Sequence, residues 1–326
     1  QDTHGVVSFE VDPDVACDKA WQHGGDKFSD RRPEAYSLIG EDFERTPVAK
    51  YLGEPLLPEQ TTSKAAAIQV HATAASGSLD DALAMVSHTA KLGAKLLVLP
   101  QYFGVASWLP DEEGLKAAAT QSPGLLDKLS SIALEYGCAI VAPVVEADGD
   151  ELVSAAVLIG PQGEVIGRQR QLHLEPEVRD TLTPGSEFGV FETPFGRVGM
   201  LIGHDGLYPE SARVLTLLGA DVIAWSSAWR DPAERKLLVV PKAEDNRVFV
   251  VCANRTDCPY PGGSLLVGPT GFPQWDLDVA SPRVLRHGAV MPGFMNLALA
   301  RQKSMIPKVD MVRNRIVSTY GPIVGS

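Results

Sequence analysis

Short apolar runs alternate along the chain with segments whose apolar residues recur every three or four positions, beginning near residue 64. The runs at 64–71, 95–99 and 138–145 are almost continuously apolar, which is typical of strands buried on both faces. Between them, 78–92 and 125–136 place their apolar residues on one side of a helix. The pattern therefore predicts alternating strands and helices, as in an α/β fold.

The middle of this region predicts paired strands. The turn sequence Gly-Pro-Gln-Gly separates two strand-like segments, 151–159 and 164–170, as expected for a hairpin. A second pair, 189–193 and 196–202, flanks the dipeptide Pro-Phe. Together these elements indicate two packed sheets with helices on their outer faces. The remaining predicted elements are helices at 209–218 and 231–246 and strands at 221–224, 247–253 and 264–267.

Charge divides the chain near residue 63. The 326 residues carry a formal net charge of −12, and residues 1–63 alone hold 13 Asp and Glu against 6 Lys and Arg, a net of −7. We therefore predict an acidic N-terminal extension at 1–63 and a folded domain at 64–326. Because the extension contains large apolar residues, we expect an extended arm on its own core or on another chain. A flexible acidic leader is the alternative.

Composition disfavours several classes of function. The acidic balance argues against a nucleic-acid partner, and no apolar run reaches the roughly 18 residues of a membrane span. We expect no cofactor and no metal, because no phosphate-binding loop, dinucleotide motif or metal-ligand pair occurs. Cys17, Cys138, Cys252 and Cys258 form no CxxC pair, and we predict free thiols in a cytoplasmic protein. A removed signal peptide stays an alternative.

Several short motifs occur in a definite order: 66–70 (AAIQV), 97–100 (LVLP), 170–174 (RQLHL), 196–210 (GRVGMLIGHDGLYPE), 243–246 (AEDN), 249–254 and 262–264. Their order resembles that of the nitrilase superfamily of carbon–nitrogen hydrolases, over about four-fifths of the chain. The resemblance implies a four-layer α-β-β-α sandwich, with the segment 306–320 as a C-terminal tail that crosses to a second copy.

The same resemblance implies a catalytic Glu, Lys and Cys, and this chain departs from it at all three positions. Gln101 follows Leu-Pro where the Glu is expected, Gln171 stands two residues before His-Leu in place of the Lys, and Gly203 lies at the strand-to-helix turn in place of the Cys. An amide cannot act as a general base near neutral pH, and glycine has no nucleophile. We therefore expect no catalytic residue at these positions.

Neighbouring polar residues are candidates for a pocket. Together with Gln101 and Gln171, we expect His173, His204 and Asp205 to line what is left of the site. Structural roles are favoured for both histidines, and Asp205 is expected to support the turn. Either Glu175 or Glu177 stands where the family often places a supporting Glu, and which one corresponds is open. We expect Cys138 and Cys252 to be core thiols, and Cys258 is the one weak candidate nucleophile.

These residues predict a catalytically inactive subunit that acts as a structural or assembly component, as a homo-oligomer or with other protein subunits through residues 1–63. Losing a whole catalytic unit typically costs several orders of magnitude in rate. Two alternatives stay open. One is a protein that binds or senses a small amide or carboxylate in the old pocket, and the other is a carbon–nitrogen hydrolase with a non-standard site.

Overall fold

Two β-sheets form the centre of the molecule in a computed structural model that describes residues 8–20, 24–70, 78–105, 111–256, 259–274 and 288–325. One sheet has the order β11-β1-β2-β3-β4-β5 and the other β10-β9-β8-β7-β6, while β12 and β13 pair separately. The strands are β1 Ser63–Gln69, β2 Leu96–Val98, β3 Ala139–Asp148, β4 Glu151–Ile159, β5 Val165–Arg170, β6 Val190–Thr193, β7 Gly196–Ile202, β8 Val222–Ser226, β9 Phe249–Ala253, β10 Leu265–Val267, β11 Ala289–Met295, β12 Ser304–Ile306 and β13 Val309–Asp310.

Helices cover the outer faces of both sheets. Buried residues of α2 and α3 pack on the first sheet, and those of α4 and α6 pack on the second. A third apolar cluster fills the space between the sheets. This arrangement is the predicted α-β-β-α sandwich. The helices are α1 Pro47–Tyr51, α2 Ser78–Lys91, α3 Glu112–Tyr136, α4 Pro209–Leu217, α5 Pro232–Glu234, α6 Val240–Asn246, α7 Leu297–Arg301 and α8 Gly321–Val324.

Helix α3 is about twice as long as predicted. The predicted helix began only at residue 125, two positions after Pro123, and a proline normally ends a helical pattern. In the structure α3 runs through Pro123, starts after the cap of Asp111 and ends at Gly137, which has a φ of 58°. Beside the proline, the Ser122 hydroxyl lies within hydrogen-bond distance of the carbonyl oxygens of Ala118, at 2.9 Å, and Val145, at 2.6 Å.

Three other elements differ from the prediction. The helix predicted at 231–246 is interrupted by a π-helical turn, Arg235–Val239, between α5 and α6. Strand β11 was not predicted, because Pro292 and a glycine break its apolar pattern. It pairs antiparallel with β1 at the edge of the sheet, a position that tolerates proline. The small pair of β12 and β13 was also missed.

Residues 35–52 of the N-terminal extension lie on the core of their own chain. The extension forms short helical turns, Pro33–Gly40 and Phe43–Arg45, followed by α1, rather than an extended strand. Tyr36, Ile39 and Val48 are buried against the cluster that covers α4. The division at residue 63 stays a prediction. Within the described ranges, no helix is long and apolar enough to cross a membrane.

Candidate functional site

The structure brings Gln101, Gln171 and Gly203 together at the carboxyl ends of three strands. Gln101 follows β2, Gln171 follows β5 directly, and Gly203 follows β7. The backbone N–H of Gln101 donates to the carbonyl of Ser227, which holds the end of β2 against the end of β8. The two glutamine side chains meet, since Gln101 Nε2 lies 3.3 Å from Gln171 Oε1.

A single carboxylate, that of Glu175, lies at the centre of these residues. Its Oε1 accepts from Gln101 Nε2 at 3.0 Å and from the backbone N–H of His204 at 3.3 Å. Its Oε2 accepts from Gln171 Nε2 at 3.0 Å and from the Tyr102 hydroxyl at 3.3 Å. Glu175 is 7% exposed. Four donors therefore face an acceptor-only group, so the buried charge is fully hydrogen-bonded.

The Glu175 side chain occupies the space that a side chain at position 203 would need. Gly203 has a φ of 46°, and a Cβ built there would lie 2.0 Å from Glu175 Oε1 and 2.5 Å from Gln101 Oε1. The Gly203 carbonyl accepts from Trp225 Nε1 at 3.0 Å, which fixes the turn after β7. A side chain at 203 would require Glu175 to move, and no nucleophile fits there while Glu175 keeps this position.

Tyr102 reaches Glu175 through an unusual backbone conformation. Its φ is 58°, in the left-handed region that non-glycine residues rarely adopt. Such strain typically costs about 1–3 kcal/mol and clusters at functional sites. Burial, reinforced by the charge of Glu175, raises the pKa of Tyr102 well above its usual value. The phenol therefore stays protonated and donates to the carboxylate.

A small cavity of about 40 Å³ opens beside Glu175. A volume of roughly 10–15 Å³ holds one water, so this space admits a few waters or the reacting end of a small molecule. Its lining includes Gln101, Gly203 and His204 but not Gln171, which lies beneath Glu175 and is fully buried. Sequence reasoning missed the cavity residues Tyr102, Trp225, Trp229, Arg230, Glu234 and Tyr260.

Position in the sheet was the signal that could have revealed some of these residues. Trp225 lies near the carboxyl end of β8, and Trp229 and Arg230 follow that end directly. In α/β sheets, ligands bind beyond the carboxyl ends of the strands. The Trp225 and Trp229 rings meet edge to face with centroids 5.6 Å apart and form an apolar wall of the cavity.

Charged groups surround the cavity mouth. Arg230 donates to Glu177 at 2.7 Å. Burial opposes ionisation of Glu177, but its hydrogen bonds and the Arg230 charge hold its pKa below the usual value. Burial lowers the pKa of His204, so that ring is neutral at pH 7. Burial, helped by the charge of Asp231, raises the pKa of Glu234 to about 7. Glu234 can therefore hold or release a proton near neutral pH.

His173 and Asp205 do not line the cavity, contrary to the prediction. Both are buried behind it, and His173 Nδ1 lies 2.8 Å from Asp205 Oδ1. Asp205 also accepts from the backbone N–H groups of Leu172, His173 and Ile202, as expected for a residue that supports the turn.

The three described cysteines lie outside the site. Cys138 and Cys252 are free and buried in the core, and burial raises the pKa of both thiols. Cys17 is free and exposed. Cys258, the weak candidate nucleophile, lies outside the described residues. In the portion of the chain that the structure covers, no cluster of His, Cys, Asp or Glu could hold a metal ion.

A family model for carbon–nitrogen hydrolases matches residues 64–277. The chain therefore belongs to the carbon–nitrogen hydrolase family. Its sequence is 34% identical to a nitrilase of Pyrococcus abyssi over 192 residues, which is 57% of this chain and 72% of that protein. It is also 28% identical to the human omega-amidase NIT2 over 190 residues, 53% of this chain and 67% of the relative.

Solved structures share the fold. A mutant of the amidase from Nesterenkonia AN1 superposes with a TM-score of 0.68 at 21% identity, and the match covers 82% of this chain and 99% of the amidase. Nit3 of Saccharomyces cerevisiae, described as a nitrilase-superfamily member, gives a TM-score of 0.66 at 20% identity, covering 78% of this chain and 98% of that one.

These relatives correct the predicted function. The residues at positions 101, 171 and 203 predicted a catalytically inactive subunit that serves assembly, and that prediction is wrong. The relatives are named nitrilase and omega-amidase, and both names denote hydrolytic enzymes. The alternative of a carbon–nitrogen hydrolase with a non-standard site agrees better with them.

Proposed function

We propose that this chain hydrolyses carbon–nitrogen bonds of small amides in the cavity beside Glu175, by a route without a covalent intermediate at residue 203. The observation that carries the proposal is the burial of Glu175 among Gln101, Gln171 and the turn at Gly203. We infer that these three residues stand where other family members place a Glu, a Lys and a Cys. Glu175 is then the carboxylate that remains at the centre.

The proposed chemistry is general-base hydrolysis. A water oxygen attacks the amide carbon while Glu175 takes a proton from that water. The tetrahedral intermediate collapses with cleavage of the C–N bond, and the proton passes from Glu175 to the leaving nitrogen. The products are a carboxylic acid and ammonia or an amine. A protonated Glu175 leaves one of its four donors without an acceptor, so we expect slow turnover.

Substrate class follows from the size and chemistry of the cavity. The small free volume favours a short aliphatic amide, and the Trp225–Trp229 wall would contact its apolar part. Related amidase structures contain butyramide and acrylamide, which are ligands of this size. The Glu177–Arg230 pair at the mouth could orient a polar tail.

Amide binding without turnover is the second candidate. The side chain of Gln101 lines the cavity and carries both an N–H donor and a carbonyl acceptor, the two kinds of group that bind a carboxamide. Binding and hydrolysis are separable, because binding raises the melting temperature and hydrolysis releases ammonia.

The test is ammonia release from acetamide, butyramide and longer amides by the purified full chain. We expect slow release by the wild type and at least a tenfold loss in Glu175→Gln, a variant that removes the base. Glu135→Gln is the matched control, since Glu135 is exposed on α3. Melting temperatures of all three proteins, with and without amide, check folding and binding.

Three outcomes separate the candidates. Ammonia release that depends on Glu175 supports the hydrolase. A raised melting temperature without ammonia supports binding alone. The hydrolase proposal is overturned if the wild type and Glu175→Gln release ammonia equally. It is also overturned if no amide is hydrolysed and none raises the melting temperature. An acyl adduct in the intact mass of the wild type would also contradict the route without a covalent intermediate.

A further inference from the structure

A buried chain of hydrogen bonds runs from the N-terminal extension to the candidate site. The hydroxyl of Tyr36 lies 2.6 Å from His173 Nε2, and His173 Nδ1 lies 2.8 Å from Asp205 Oδ1. Tyr36 and Asp205 are 0% exposed and His173 is 4% exposed. Three side chains from separate parts of the sequence are therefore joined in a buried environment.

The donors and acceptors in this series of hydrogen bonds fit one arrangement. Asp205 accepts only, so it pairs with a hydrogen on His173 Nδ1, and Nε2 faces the Tyr36 hydroxyl. Tyr36 already accepts the backbone N–H of Arg32 at 3.3 Å, which leaves its own proton for Nε2. Burial raises the pKa of Tyr36, so the phenol keeps that proton.

Asp205 connects this series of hydrogen bonds to the backbone on both sides of the site. Its Oδ1 accepts from the N–H groups of Leu172 at 3.0 Å and His173 at 2.8 Å, directly after Gln171. Its Oδ2 accepts from the N–H of Ile202 at 3.3 Å, directly before Gly203. Gln171 Nε2 in turn donates to the His173 carbonyl at 2.8 Å.

We propose that Tyr36 is a positioning residue for the candidate site. Its hydroxyl holds His173 by the second ring nitrogen, and His173 with Asp205 fixes the relative position of Gln171 and the turn at Gly203. The N-terminal extension is then a structural part of the site. The effect of Tyr36 on activity rests on the proposed hydrolysis, whereas its effect on His173 does not.

The surroundings of Tyr36 keep its hydroxyl in place. Arg31 lies over the Tyr36 ring, 5.8 Å from the centroid, and pairs with Glu210 at 3.0 Å on α4. Arg32 Nη1 donates to the carbonyl of Leu172 at 3.1 Å. Three aromatic rings, those of Tyr36, Phe188 and Tyr208, stack around His173 with centroids 4.2 to 6.4 Å away.

The experiment is ¹⁵N NMR of histidine-labelled full-length protein with Tyr36→Phe. In the wild type we expect His173 as the neutral tautomer with hydrogen on Nδ1. In Tyr36→Phe the Nε2 resonance should move toward that of an acceptor without a partner. The backbone amides of Leu172, His173 and Ile202 should exchange with solvent at least tenfold faster. With an amide substrate, kcat should fall about tenfold or more, since small displacements near reacting groups are costly.

Tyr208→Phe is the matched control. Tyr208 also stacks on His173, at 4.2 Å, but its hydroxyl donates to the carbonyl of Asp26. Removing that hydroxyl should leave the His173 nitrogen resonances unchanged.

The proposal is overturned if Tyr36→Phe leaves the His173 resonances and the three exchange rates at wild-type values. It is also overturned if wild-type His173 carries its hydrogen on Nε2 or is doubly protonated. The wild-type spectrum decides that point even if the variant does not fold. Absence of amide hydrolysis by the wild type would count against the proposed function and not against these NMR results.

Discussion

At residue 203, one glycine determines which side chain can occupy the centre of the site. A Cβ at 203 meets Glu175 Oε1 at 2.0 Å, and the φ of 46° strains any other residue. We predict that Gly203→Ala lowers the free energy of unfolding by about 1–3 kcal/mol. In a Glu175→Ala background the added cost should be smaller, because only the backbone strain and the contact with the Gln101 side chain remain. Urea denaturation measures both.

Gly124→Ala is the control for this prediction. Gly124 is exposed in α3 and an added Cβ there meets nothing within 4 Å. The same substitution should therefore stabilise the protein by about 0.5–1 kcal/mol. If Gly203→Ala were as well tolerated as Gly124→Ala, Glu175 would not occupy the space beside the turn.

A second prediction concerns Glu234, because its pKa is raised from 4.5 to about 7 by burial and by the charge of Asp231. A carboxyl with a raised pKa in the folded state binds its proton more tightly there than in the unfolded chain. Its contribution to stability is complete below pH 4.5 and is lost as the pH rises through about 7. Relative to Glu234→Gln, the wild type should lose unfolding free energy between pH 5 and pH 8. Glu135→Gln should follow the wild type, and parallel curves for Glu234→Gln would contradict the raised pKa.

At the scale of elements, continuous apolar runs predicted the buried strands well, and interrupted patterns did not. Strands β4 and β7 have the predicted bounds because turn residues border each run. Pro123 concealed the first half of α3, and Pro292 concealed β11, since proline is read as a breaker unless its tertiary surroundings are known.

Motif order also located Gln101, Gln171 and Gly203, which the structure brings into one cluster. It could not rank Glu175 above Glu177, because that choice depends on where each side chain points after β5. The structure places Glu175 at the centre and Glu177 at the mouth with Arg230. The local sequence determines where each strand ends. Which side chains from different strand ends come into contact depends on the whole fold.

A third prediction belongs to the contact between α7 and β8. Arg301 at the end of α7 binds both oxygens of Asp221 at 3.1 and 3.2 Å, directly before β8. The Asp221 side chain is 4% exposed. Arg301→Met should therefore cost about 3 kcal/mol of unfolding free energy, because it leaves a buried carboxylate without its cation. Urea denaturation provides the measurement.

Lys116→Met is the matched control for that salt bridge. Lys116 pairs with Glu112 on the surface of α3, where both side chains are more than 60% exposed. Exposed pairs contribute about 0–1 kcal/mol, so the change should be small. Equal effects of Arg301→Met and Lys116→Met would mean that Asp221 reaches water when Arg301 is removed. The double variant Asp221→Asn with Arg301→Met should recover part of the loss.

At the scale of the whole molecule, the N-terminal extension is part of the folded core rather than an appendage to it. Its large apolar residues predicted a segment that needs a surface, and Tyr36, Ile39 and Val48 find that surface on α4 of the same chain. Arg315 near the C-terminus donates to the carbonyls of Ile39 and Glu41, both at 2.7 Å, so the two ends of the chain are joined over this face. Contact of residues 1–63 with another subunit stays a prediction.

The fourth prediction compares two truncations of this extension. Deleting residues 1–52 removes Tyr36, Ile39 and Val48 from the core, and each buried side chain of this kind contributes about 1.5–3 kcal/mol. We expect a loss on the order of 5 kcal/mol in urea denaturation, together with loss of the Tyr36–His173 bond and of any amide hydrolysis. Deleting residues 1–18 should change little, because residues 8–15, 17 and 18 are exposed. If the longer deletion were as stable and active as the shorter one, the extension would not belong to the core. Light scattering on the same two proteins tests the separate prediction of a partner. A smaller assembly in both proteins would place the contact within residues 1–18, and a smaller assembly only after the longer deletion would place it within residues 19–52.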